Sequence, residues 1–122
     1  MQPQEDETVW FFRRSPCLVG RQVVAGVEHL KVYDVSEKPP YPEKVQLTTA
    51  VPLEAQYRDL GRALAPGEVV LSAEVTLPLL DELVKRGFII KTQLRVVVDG
   101  DSLVVARLAP GLKTVSAQGV GV

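Results

Sequence analysis

Asparagine is absent from this chain, and histidine, cysteine and tryptophan occur once each; the single methionine is Met1. Each scarcity removes a class of chemistry. With His29 as the only histidine, multi-histidine metal sites are excluded, and no nucleophile motif accompanies it to suggest a triad. The natural reading of His29 is an ordinary residue at the start of a strand. With Cys17 alone, no intrachain disulfide framework exists, and a lone cysteine ahead of an apolar stretch reads as a buried, inert thiol. No CxxC, HExxH, GxSxG, Walker A or GxGxxG spacing occurs. No apolar run approaches the ~20 residues that span a bilayer. The opening Gln2-Pro3-Gln4-Glu5-Asp6-Glu7 is acidic where a secretory signal needs a basic region, so the expected location is the cytoplasm or a particle assembled there. A net charge of −1 argues against a polyanion-binding surface over the whole molecule, though not against a local patch.

The residues present describe a globular β-rich protein. Hydrophobic residues make up 46% and charged residues 24% of 122, a balance that supports one packed domain. There are 21 Val and 15 Leu but only two Ile, so strand propensity is carried by valine. Depletion of labile side chains is a signature of thermostable proteins, and a GC-rich coding bias would produce the same composition.

Along the chain, residues 1–7 read as a flexible N-terminal lead, 8–112 as a single α+β domain and 113–122 as an irregular C-terminal tail. Strands are expected over Thr8–Phe12, Leu18–Val27 with a bend or bulge near Gly20, His29–Val35, Val45–Val51 and Glu68–Val75. The proline-rich Ser36–Pro42 admits neither strand nor helix. A helix is expected from Pro52 to about Leu64, broken by Gly61, and a second from Thr76, a plausible N-cap, to Arg86. The second runs into a long C-terminal β-hairpin, Phe88–Val98 and Leu103–Leu108, around Asp99-Gly100-Asp101. Asp-Gly favours a two-residue type I′ turn, and a three-residue loop is the alternative register. The expected fold is therefore α+β, a mostly antiparallel sheet of about five to seven strands with two short helices.

Two clusters carry functional interest. Trp10, Phe11, Phe12, Arg13 and Arg14 combine aromatic and guanidinium groups, which suits a protein interface or base stacking with phosphate pairing. Ile89, Val97, Leu103 and Val105 stand opposite the alternating apolar set of the hairpin, so that a partner chain or a helix of the same chain should cover them. The apolar Gly-Val-Gly-Val tail is a third end that a partner could order.

One family resemblance is present. Leu71-Ser-Ala-Glu-Val-Thr-Leu-Pro-Leu-Leu-Asp-Glu-Leu-Val-Lys-Arg-Gly-Phe-Ile89 resembles the recognition-helix region of bacterial winged-helix regulators, where such a stretch leads into a wing hairpin. Arg107-Leu108-Ala-Pro-Gly111 is similar to the end of such a wing. The resemblance spans residues 71–111 and implies DNA binding. The chain departs from that pattern in the two-residue period of Glu68–Val75, in Pro78, and in Asp81 and Glu82, which would repel phosphates.

The expected function is that of a non-enzymatic structural or assembly protein acting through protein–protein contacts, as a homo-oligomer or a subunit of a larger viral or bacterial assembly. It needs no catalytic residue, metal or cofactor, and no membrane. The alternative is a nucleic-acid-binding module, through the winged-helix-like 71–111 or through single-strand binding at residues 10–14.

Overall fold

In a computed structural model of the chain, the structure describes the backbone of residues 9–121 and the side chains from Phe12 to Gly121. It is of the α+β class, with mostly antiparallel sheets and two short helices. The elements run β1 (Val9–Phe12), β2 (Ser15–Val24), β3 (Val27–Asp34), β4 (Glu43–Gln46) and β5 (Thr48–Thr49). Then follow α1 (Leu53–Leu60), β6 (Glu68–Leu71), α2 (Leu77–Lys85), β7 (Ile89–Val98), β8 (Asp101–Leu108), β9 (Val115–Ser116) and β10 (Gly119–Val120). Contacts gather in two compact units. The described residues through Gln46 form the first together with those from Gly111, and Leu47–Pro110 form the second. The break falls inside the stretch expected as one strand, Val45–Val51. Its alternation is continuous, but its pairing is not: β4 bonds to β3, while β5 bonds to β6.

The first unit is an antiparallel meander in the order β1-β2-β3-β4. Two of its connections are two-residue turns, since Phe12 pairs with Ser15 and Val24 with Val27. Such loops take the I′ form, which matches strand twist but demands positive φ at both central residues. Arg13 and Arg14 sit at φ 50° and 68°, Ala25 and Gly26 at 50° and 79°. The proline loop is pinned where Asp34 N–H donates to the Pro42 carbonyl (3.0 Å), and Asp34 Oδ1 accepts from Ser36 N (2.8 Å).

No bulge occurs at Gly20. The β2–β3 register is unbroken from Cys17↔Asp34 to Val24↔Val27. The glycine serves a close approach instead: a Cβ there would lie 2.4 Å from the Lys113 carbonyl oxygen and 2.6 Å from Val115 Cγ1. The C-terminal segment thus lies directly on β2. Arg21 N–H donates to Lys113 O (3.0 Å), and fully buried Val115 joins Leu18, Tyr33 and Val35 in a small core. The segment closes as the hairpin β9–β10, tied by Gly121 N–H to Thr114 O.

The second unit holds a sheet in the order β5-β6-β8-β7. Helix α1 begins after Pro52 and ends where Gly61 takes φ 73° and donates to Tyr57 O, short of the Leu64 expected. It packs through Ala55 and Leu60 on Val70, Val96, Leu103 and Val105. Gln56 stitches its flanks, donating to Val51 O (2.9 Å) and accepting from Leu64 N (2.7 Å). β6 stops at Leu71, because Ser72–Val75 turns, with Val75 N–H on Ser72 O (3.1 Å). Thr76 then caps α2, accepting from Leu79 N–H at 3.4 Å.

The hairpin takes the two-residue register, Val98↔Asp101, with Asp99 and Gly100 at φ 51° and 86°. Between Lys91↔Ala106 and Arg95↔Val104 the register shifts by two, because β7 places three residues, 92–94, where β8 places one, Val105. Thr92 Oγ1 fills the gap by donating to Val105 O (2.5 Å). A shift of two residues keeps face parity, so each face is covered in part: buried Ile89 shares its face with Ala106 and Leu108, whereas Val96 shares the opposite face with Leu103 and Val105 in the α1-covered core, with Leu94 and Val98 packed against it.

The Gly20 contact makes a sharp test of packing. Gly20→Ala should destabilise by about 1–3 kcal/mol, since backbone rather than a flexible side chain blocks the new methyl. Gly111→Ala, which meets nothing within 4 Å at ordinary φ, should leave the urea midpoint unchanged or slightly raised.

Candidate interaction site

Among the described residues, no group of three or more His, Cys, Asp and Glu is placed to hold a metal. Cys17 is fully buried; its Sγ donates to Ser15 O (3.4 Å), and burial pushes the thiol pKa up. A thiol so placed is a poor nucleophile. His29 is buried on β3, where desolvation, then the charge of Lys31, pull its pKa down. Lys31 pairs with Glu43 Oε1 at 2.5 Å. In the second unit a groove of about 240 Å³ lies among Leu71, Leu77, Leu80, Arg95, Asp101 and Ser102. It is smaller than usual ligand pockets and holds no nucleophile–base pair.

The β1–β2 turn is different. A side chain at positive φ is strained, and here two consecutive arginines accept that strain with no Asn or Gly to relieve it. Arg13 Cζ stands 4.8 Å from the Phe12 ring centroid and Lys44 Nζ 5.9 Å from it, both within cation–π range. Lys44 also donates to Phe12 O (3.0 Å) and Arg13 O (3.3 Å). Lys44 belongs to β4, at the far edge of the sheet order from β1, so the meander must curl to bring it there. Phe12 is covered, whereas Arg13 and Arg14 are exposed. Among the described residues, no carboxylate forms an ion pair with Arg13, Arg14 or Lys44.

Strand edges form the second part of the site. β7 is an edge strand, and its Val97 is clamped from α1. Val97 N–H donates to Asp59 Oδ2 (2.8 Å), and Arg58 Nη2 donates to Val97 O (2.5 Å). The Arg58 hydrogen bonds, then the Val97 N–H, lower the Asp59 pKa to about 2. The same strand is broken by its bulge, and β5 offers only two residues. These are familiar devices against edge-to-edge pairing. β1 carries neither device: among the described residues its one ladder is to β2.

Of the residues singled out by sequence, Phe12, Arg13 and Arg14 meet at this tip, and the side chains of Trp10 and Phe11 lie outside the described residues, as does the lead 1–7. The register sets Leu103 beside Val96 and Val105 beside Val70, so both belong to the α1-covered core and not to the opposite face. Ile89 is buried too, and only Val97 stays exposed, at 45%. Where the winged-helix resemblance implies a helix, β6 is an inner strand of the hairpin's own sheet. Sequence reading missed one surface, the β2–β3 hairpin end, where Val23, Val24 and Val27 are all exposed. Its signal was available: Val23-Val24-Ala25-Gly26-Val27 has no polar residue at all.

The chain matches no protein-family model, no curated protein and no solved structure. Among the described residues, no helix is long and apolar enough to cross a membrane.

The clamp on β7 has a definite pH signature. Asp59 titrates lower folded than unfolded, so its contribution is complete above the unfolded value near 4 and is lost as pH falls through about 2. NMR titration should place the Asp59 carboxyl midpoint near 2, with the Val97 amide shift following the same curve. A midpoint near 4 would show that no clamp forms.

Proposed function

We propose that this is a non-enzymatic assembly protein that works by binding protein chains, either copies of itself or other subunits of a larger complex. The observation that carries this reading is the contrast between edges: β7 is clamped and bulged, while among the described residues β1 pairs with β2 alone and shows neither device. An edge left undefended in a protein that defends another is suited to strand addition. The exposed valines at the β2–β3 end support the same reading, since three apolar side chains on one turn favour a covered surface. Light scattering at tens of micromolar should report a mass above that of one chain. A clean monomer over that range would overturn self-assembly as the activity.

A second reading has its own observation. Arg13 and Lys44 flank the Phe12 ring, with exposed Arg14 next in the turn, and among the described residues none of the three has a carboxylate in ion-pair contact, an arrangement suited to phosphates. This nucleic-acid reading expects binding to single-stranded oligonucleotides that falls steeply with salt. Fluorescence anisotropy with no binding at about 50 mM salt would dismiss it.

A further inference from the structure

We infer that the groove beside α2 is a binding site for a small monocarboxylate with a branched or aromatic body. The sheet has a gap there. β6 pairs with β8 only as far as Val70↔Val105 and ends at Leu71, whereas β8 extends back to Asp101. Val98↔Asp101 flanks a two-residue turn and is therefore a hydrogen-bonded pair, so Ser102 turns its N–H and carbonyl away from β7. Two bonds follow the same alternation further along β8. Val105 O accepts from Thr92 on the β7 side, and Leu108 N–H donates to Gly67 O on the β6 side. Ser102 thus opens its backbone onto the groove of about 240 Å³ that occupies the gap.

The lining suits an acid with an apolar body. Val70 and Val105 face the α1-covered core, so Leu71 and Val104 lie on the opposite face, where with Leu80 of α2 they line the groove. Leu77 stands at the rim 69% exposed, apolar surface that an occupant would cover. The polar groups favour an anion. Arg95 pairs with Val104 and so shares the groove's face, and its Nη1 makes only a long bond, 3.4 Å, to Ser102 O. Among the described residues no carboxylate is in ion-pair contact with Arg95. The guanidinium and the Ser102 N–H are thus two donors at one edge, which a single carboxylate satisfies together. Ser72 also lines the groove, with an Oγ that is buried and, among the described residues, has no hydrogen-bond partner. Asp101 opposes none of this, because it pairs with Val98, which packs on the α1-covered core across the sheet. Size sets the rest. An apolar cavity of about 150 Å³ holds benzene, so this groove admits roughly ten non-hydrogen atoms, too few for a nucleotide.

The test is titration of the full chain with hydrocinnamate, followed by amide NMR shifts. Saturable shifts should appear at Ser72, Leu77, Ser102 and Val104, with a Kd of about 1 mM or tighter. Arg95→Gln should weaken binding by about tenfold or more, the loss of a charge-assisted bond. The primary amide of the same acid, equal in shape but uncharged, should bind the wild type about as weakly. Leu77→Ala should weaken binding by roughly fivefold through lost apolar cover. Both substituted positions are exposed, so unchanged shifts outside the groove show that the variants are folded. No saturable shift by about 10 mM, shifts centred elsewhere, or equal binding by Arg95→Gln would overturn the site. The rival occupant is a chain terminus, probed with a blocked dipeptide that ends in phenylalanine and a free carboxylate. If the dipeptide binds about tenfold more tightly than the acid, the small-acid assignment falls. The site does not depend on self-association: a chain that is monomeric by light scattering still binds the acid, and failure here leaves the assembly reading untouched.

Discussion

The constraint on which this structure depends is the outer row of hydrogen-bonding groups on each terminal strand. A β-rich protein built from short antiparallel ladders has many such rows, and each must meet water, a side chain or another strand. Here they are treated unequally. On β7 the amide and carbonyl of one residue, Val97, receive a carboxylate and a guanidinium from adjacent positions of α1. Arg58 also bonds Asp59 directly, with Nε on Oδ1 and Nη2 on Oδ2. The two side chains hold one another in place while they cover the strand. The helix that packs on this sheet through Ala55 and Leu60 therefore shields the sheet's edge with its polar face.

The same economy governs the first unit. Its C-terminal segment lies against β2 where β1 has ended, so a single strand edge is shared between the beginning of the described chain and its end. That sharing requires backbone on backbone at Gly20, and no other residue type leaves room for the Lys113 carbonyl. Val115, anchored by this contact, then completes the core around Leu18, Tyr33 and Val35. The proline loop is tied into the same region, with Tyr41 N–H donating to Ala117 O at 2.6 Å.

The sequence made some of this legible and concealed the rest for identifiable reasons. Element types followed from local signals: alternation in Val27–Asp34, Thr76 ahead of an apolar helical stripe, Asp99-Gly100 between apolar runs. Partners did not, because alternation reports a half-buried strand without saying which strand lies beside it. Val45–Val51 accordingly reads as one strand and pairs as two. The register shift at residues 92–94 leaves no Gly or Pro to mark it. Leu103 and Val105 read as the opposite face only while the turn register is open; the two-residue turn sets Leu103 beside Val96, and both residues are core in the fold. The β9–β10 hairpin, with two residues per strand, is too short for any period to appear. At the candidate site, the Trp10–Arg14 cluster was visible as composition, whereas the positive φ of its arginines and the arrival of Lys44 are tertiary facts.

Those two facts bear on how the tip is to be understood. A type I′ turn is most easily made by Asn-Gly or Asp-Gly, and the hairpin at Asp99-Gly100 uses that solution. At Arg13-Arg14 the same turn is built from two residues with long side chains, at a cost of about 1–2 kcal/mol each relative to right-handed backbone. Cation–π contact with Phe12 and the Lys44 hydrogen bonds to the turn's carbonyls offset part of that cost without removing the charge. Among the described residues no carboxylate forms an ion pair with Arg13, Arg14 or Lys44, and the charge of Lys44, behind the Ser36 hydrogen bonds, is one of the influences that lower the Asp34 pKa.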